Sequence, residues 1–203
     1  RHLLTHTAGY APEVHFHHRN GALGERFFSH DKQRTATLLM QVPFVAARGE
    51  KTVYSDTDYL LLGLIVEAIS GQPLDQYTEQ QFYRPLQLLH TVFNPLQKNF
   101  RPLQTAATEV SGNSRAGTVH FDNMRRDVVQ GEVHDEKAFY AMQGVAGHAG
   151  LFSSRGDLAV LLQLFLNGGG YGAHTFFDET TLMQFIKPAD RDQLVDVLRT
   201  LET

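Results

Sequence analysis

Tyr54-Ser55-Asp56 is the stretch of this sequence best suited to moving a proton. A free phenol titrates at about 10, so it acts as a base near neutral pH only beside a positive charge. An ionised carboxylate two residues on accepts hydrogen bonds but cannot donate them. Directly behind the triple runs Tyr59-Leu60-Leu61-Leu62-Gly63-Leu64-Ile65-Val66-Glu67. That run predicts a helix capped by Asp56 or Thr57, with Leu60, Leu61, Leu64, Ile65 and Ala68 as its apolar face. Gly71 followed by Pro73 stops it. The helix fixes the loop, and the loop presents the phenol to a cleft.

Three other groups carry chemistry-bearing side chains. Glu132-Val133-His134-Asp135-Glu136 is polar and strand- or loop-like, and its His134 and Asp135 read equally well as substrate contacts or as residues that shape the loop. The turn Gly147-His148-Ala149-Gly150 places His148 among glycines that permit close packing and positive φ, and His148 reads there as a structural residue ahead of a substrate contact. His15-Phe16-His17-His18 invites a metal reading, alone or with His134, Asp135 or His148, because imidazole is a common zinc ligand. Nothing like His-Glu-x-x-His accompanies it, so solvated or packed histidines are the preferred reading and no metal is expected. Ser29-His30-Asp31-Lys32 satisfies Ser-x-x-Lys, but in a polar loop at a helix start, and reads as a chance match.

Taken together, Leu3-Leu4-Thr5-His6-Thr7-Ala8-Gly9, Tyr54-Ser55-Asp56 and Gly147-His148-Ala149-Gly150-Leu151-Phe152-Ser153-Ser154 resemble the class C β-lactamase and D,D-carboxypeptidase family of serine hydrolases. The 132–136 segment resembles the branch of that family that includes penicillin-binding protein 4B. The resemblance implies an α+β fold in which an antiparallel sheet packs on a helical lobe. This sequence is expected to carry mainly the helical lobe, as one partial domain over residues 1–203. It also implies an acyl-enzyme mechanism with no cofactor (D-alanyl-D-alanine carboxypeptidase, esterase or β-lactamase-like), with Tyr54 and Asp56 as catalytic residues and His134, Asp135 and His148 at the substrate. Most relatives carry Asn where Asp56 stands, and an ionised Asp offers no amide to a substrate carbonyl.

The family's nucleophilic Ser-x-x-Lys and its Lys/His-Thr-Gly strand do not occur in place, so they are expected upstream of Arg1 and beyond Thr203. The excerpt alone should then be inactive. The opening Arg1-His2-Leu3-Leu4 fits a piece cut from a longer protein. The family implies a small-molecule or peptidoglycan-peptide substrate and a periplasmic or cell-envelope location, with any membrane anchor in an N-terminus not included here. Two other classes stay open, a catalytically dead module that binds cell-wall peptide or a partner and a histidine-bound metalloprotein.

Composition agrees with an ordinary globular chain: 203 residues, 42% apolar and 20% charged, with 18 basic against 22 acidic side chains. A net charge of −4 without a basic block argues against a nucleic-acid partner. There is no cysteine, which excludes disulfides and a thiol nucleophile. Further helices are expected after Asp31 as far as Pro43, from Leu74 to Tyr83, over Ala138–Met142, after Ser154, after Asp178 and near Asp190. The helix after Ser154 is expected to bury Leu158, Leu161, Leu162, Phe165 and Leu166. Residues 86–130 read as a long irregular crossing.

Overall fold

A computed structural model describes residues 1–12, 14–17, 26–186 and 188–202. His18 and the turn residues Asn20, Gly21 and Gly24 lie outside the described residues. The helices are α1 (Lys32–Leu39), α2 (Asp56–Ser70), α3 (Leu74–Thr78), α4 (Glu136–Met142), α5 (Arg155–Leu166), α6 (Glu179–Leu182) and α7 (Pro188–Glu202). Strands are short: β1 (Val92–Phe93), β2 (Ala107–Glu109), β3 (Val129–Gln130), β4 (Leu151–Phe152), β5 (Gly170–Tyr171) and β6 (His174–Thr175). Helix thus prevails, as the resemblance implied. Within the 86–130 crossing, β2 pairs antiparallel with β3, which matches Ala107 to Gln130 and Glu109 to Val129. No described helix is long and apolar enough to cross a membrane.

The chain divides into two compact units, one of Arg1–Asp75 with Phe93–Leu151 and one of Gln76–Val92 with Phe152–Thr203. The first unit packs Phe16, Leu39, Leu60, Ala138 and Met142 into a common core. The second gathers Leu86, Leu88 and Leu164 with Tyr83, Leu161, Phe176 and Phe177 around them.

Local rules explain most element ends. Asp31 accepts from the Arg34 amide at 2.6 Å and starts α1. Ser154 accepts from the Asp157 amide and starts α5, and Asp178 does the same for α6 through Thr181. Gly71, at φ +68°, ends α2 in the left-handed conformation that a residue without Cβ adopts freely. The helix expected from Leu74 to Tyr83 forms, but its second half, Glu79–Tyr83, widens into a π turn.

Three expectations need correction. The residue that precedes α2 is Ser55, one position before the expected caps, and its hydroxyl makes no capping bond. Ile65 and Ala68 face outward on α2, while Thr57, Asp58 and Gly63 join Leu60 and Leu61 on the buried side. On α5, Leu158 is exposed and Leu164 takes the buried place. In both helices apolar residues occur almost all round, so spacing alone leaves the phase open.

Candidate active site

The site is built around the start of α2. Gly63 on α2 meets Gly147 backbone to backbone: a Cβ on Gly147 would lie 2.1 Å from the Tyr59 carbonyl oxygen, and one on Gly63 2.9 Å from the Gly147 amide. Only glycine at both positions permits that approach. It sets the loop that carries Tyr54 beside the turn that carries His148. Between them lies a cavity of about 310 Å³ lined by His6, Tyr54, Ser55, Asp56, Tyr59, Gly147 and His148. Tyr54 is 68% exposed at its edge.

Next to that cavity the charged side chains form one chain of contacts. Lys137 Nζ lies 2.5 Å from Asp56 Oδ2 and 3.6 Å from Asp135 Oδ2. Asp135 Oδ1 lies 2.9 Å from His148 Nε2 and also accepts the Ala138 amide at 2.8 Å, which makes Asp135 the cap of α4. Burial works against the charge on Asp135, but the His148 hydrogen bond and charge, Lys137 and the Ala138 amide outweigh it. They hold its carboxyl well below the usual carboxylate range. Burial likewise works against the charge on Lys137, and the carboxylates of Asp135, Asp56 and Glu136 more than offset it, so its ammonium holds its proton above the ordinary lysine value.

Of the residues singled out in the sequence, Tyr54, Asp56 and His148 share one cavity, and Asp135 reaches it through His148. The His148 ring itself is 4% exposed. His134 stands elsewhere, lining a separate cavity of about 330 Å³ with Glu109, Asn113, Arg115, Asp135 and Glu136. Its backbone carbonyl is held by Asn113 and by Arg125, whose guanidinium stacks 3.6 Å above the Phe139 ring. Asp56, Asp135 and His148 have ligand atoms within 4.8 Å of one another, a spacing that suits a cation. The Lys137 ammonium already contacts both carboxylates and supplies that charge. His15 and His17 stack on each other, with Arg115 beside the first and Glu136 beside the second, and neither belongs to such a group among the described residues. Lys32 is ion-paired to Glu67 at 2.6 Å, while Ser29 accepts the Asp31 amide, so the Ser29-x-x-Lys32 match has structural partners.

Sequence reasoning missed two residues. Lys137 carries no motif, and the only hint of it is a basic side chain in the first turn of a helix, where acids are favoured. His6 was visible only as part of a quoted motif. Its imidazole packs 4.6 Å from the Tyr54 ring and 5.0 Å from the Tyr59 ring.

Residues 1–191 match the Beta-lactamase family. The chain is 50% identical over 190 residues, 94% of its length, to an Escherichia coli (strain K12) protein named "Putative D-alanyl-D-alanine carboxypeptidase", of which it spans 43%. Among solved structures it resembles the octameric penicillin-binding protein homologue from Pyrococcus abyssi (TM-score 0.61, 21% identity, 92% of this chain and 38% of that one). It also resembles simvastatin synthase from Aspergillus terreus (TM-score 0.59, 22% identity, 93% and 43%). At those identities the two structures speak for the fold alone.

Proposed function

Since the chain belongs to the beta-lactamase family, we propose that its parent protein is a serine hydrolase that works through an acyl-enzyme, with Tyr54 as general base. Peptides or esters ending in D-alanine are the substrate class, which the name of the Escherichia coli relative supports. The observation that carries the reading is the placement of Tyr54: an accessible phenol at the edge of a cavity that Gly147 and His148 also line, on the loop just ahead of the helix that meets Gly147 through Gly63.

Chemically, Tyr54 takes the proton of a serine hydroxyl while that oxygen attacks the scissile carbonyl. The tetrahedral intermediate collapses, and the leaving amine or alcohol departs with the proton returned by Tyr54. Water then repeats the sequence on the ester. The chain spans 43% of its Escherichia coli relative, and the serine with its lysine is expected in parent sequence outside the residues present here. Asp56, ion-paired to Lys137, lacks the amide that an Asn would offer a β-lactam carbonyl. That favours a carboxypeptidase or esterase over a dedicated β-lactamase.

The test uses the parent protein with a D-alanyl ester, followed by mass spectrometry of the intact adduct. An acylated serine should accumulate in the wild type and be lost in Tyr54→Phe. Equal adduct formation in both removes Tyr54 from the chemistry. Binding of a D-alanyl peptide with no adduct in either marks the parent as a binding module. The 203-residue chain by itself should hydrolyse neither nitrocefin nor p-nitrophenyl acetate above its own Tyr54→Phe control.

A further inference from the structure

Both backbone amides that bracket Tyr54 end on one residue. The Val53 amide donates to the His6 carbonyl oxygen at 2.8 Å, and the Ser55 amide donates to His6 Nδ1 at 3.3 Å. The imidazole lies between Tyr54 and Tyr59, and the Tyr59 hydroxyl donates back to the Leu4 carbonyl at 3.2 Å. His6 itself sits at φ +53°, a left-handed conformation uncommon for a residue with a Cβ. Such backbone persists where its surroundings over-determine it, and it gathers at functional sites.

Asp58 supplies that surrounding. Its carboxyl is fully buried, with Oδ2 3.1 Å from His6 Nδ1 and Oδ1 buried with no hydrogen-bond partner among the described residues. A buried carboxyl with one oxygen unmatched is costly, and here it stands directly behind the Tyr54 loop. Burial pushes it up from the ordinary carboxylate range, against the bond and charge of His6. One ring nitrogen cannot accept the Ser55 amide and donate to a carboxylate at the same time. The Asp58 contact is the shorter of the two, 3.1 Å against 3.3 Å for the Ser55 amide. Ser55 meanwhile turns its hydroxyl to the Ala11 carbonyl at 2.8 Å, which ties the same loop to the segment after His6.

We propose that His6, anchored by the buried Asp58, is the positioning residue for Tyr54: it clamps the loop on both sides of the phenol and provides the surface on which the ring rests. This deepens the reading of Tyr54 as general base and rests on it, but the clamp is measured without turnover. In the 203-residue chain labelled with 13C-tyrosine, the Tyr54 ring signals are assigned by their loss in Tyr54→Phe, and Tyr83 serves as a fold control in the other unit. His6→Phe keeps a ring but no nitrogen, Asp58→Ala removes the anchor, and Asp58→Asn keeps a hydrogen-bonding partner for Nδ1.

The Tyr54 signals should move towards those of a free tyrosine in His6→Phe and Asp58→Ala, with Tyr83 unchanged, and return in Asp58→Asn. In the parent protein the first two variants should lower kcat by about tenfold to a hundredfold with KM nearly constant, the effect of a displaced catalytic group. Tyr54 signals that stay in place in folded His6→Phe and Asp58→Ala overturn the proposal. An Asp58→Asn variant as disruptive as Asp58→Ala overturns the hydrogen-bonded anchor on which it depends. A parent that never forms an acyl adduct refutes the hydrolase reading and leaves the result on the clamp intact.

Discussion

Two helices in this chain begin alike and end up serving different purposes. Both α2 and α5 follow a serine in an extended backbone conformation and carry an aspartate at their third position. Before α5, Ser154 does what a capping serine is expected to do and accepts the Asp157 amide at 3.2 Å. Asp157 then satisfies its own surroundings by accepting the His90 amide and the Thr91 hydroxyl. Before α2, Ser55 leaves the helix amides without a side-chain cap and donates to Ala11, while Asp58 turns to His6 and Asp56 to Lys137. The start of α5 follows local rules throughout. The start of α2 breaks one of them and spends its polar groups on the loop that holds Tyr54, the pattern expected where function competes with stability.

The contrast can be broken most forcefully by catalysis. In the parent protein, Tyr54→Phe should cut acylation by about 10²- to 10⁴-fold, the range of a lost general base, with no change in melting temperature. Ser154→Ala should leave the rate untouched, and an equal loss in both would erase the distinction.

The glycines within the two helices offer the next contrast. Gly63→Ala, whose methyl would press on the Gly147 backbone, should destabilise by about 1–3 kcal/mol in urea unfolding. Gly156→Ala meets only the Ser154 hydroxyl oxygen at 4.0 Å and should stabilise α5 by about 0.5–1 kcal/mol.

Charge comes third. The folded Asp135 carboxyl lies below its ordinary range, so its contribution is complete above about pH 4 and disappears as pH falls through the folded value. Lys137 lies above its ordinary range, so its contribution is complete below about pH 10 and fades as pH rises through the folded value. Thermal melts should therefore show the wild type converging with Asp135→Asn in acid and with Lys137→Met in alkali. Convergence in the opposite directions would refute the assignment.

The smallest effect separates the serines themselves. Ser154→Ala should cost about 1 kcal/mol and speed hydrogen exchange at the Asp157 amide. Ser55→Ala should leave exchange at Asp58 unchanged, since that amide bonds to the Ser55 carbonyl at 3.2 Å.

Much of this was legible in the sequence because it is local. Asp31, Ser154, Asp178 and Gly71 each act within a turn of their own position, and residue type sufficed to place them. Tyr54 and the Gly147–His148 turn were recognised through a family motif, and the fold brings them to one cavity. What stayed hidden is long-range. Lys137 meets Asp56 across 81 positions and His6 meets Asp58 across 52, and no spacing rule joins residues so far apart. The burial of Gly63 in place of Ile65 has a related cause: α2 is apolar almost all round, so the distant Gly147 decides which side faces inward.

The meeting of Gly63 and Gly147 bears on how this cleft responds to heat and to crowded ligands. Where side chains separate two elements, the gap between them follows rotamer hopping and widens as those motions grow. Here main chain meets main chain with no side chain between, so the span between phenol and glycine turn is set by backbone contact and depends on no rotamer.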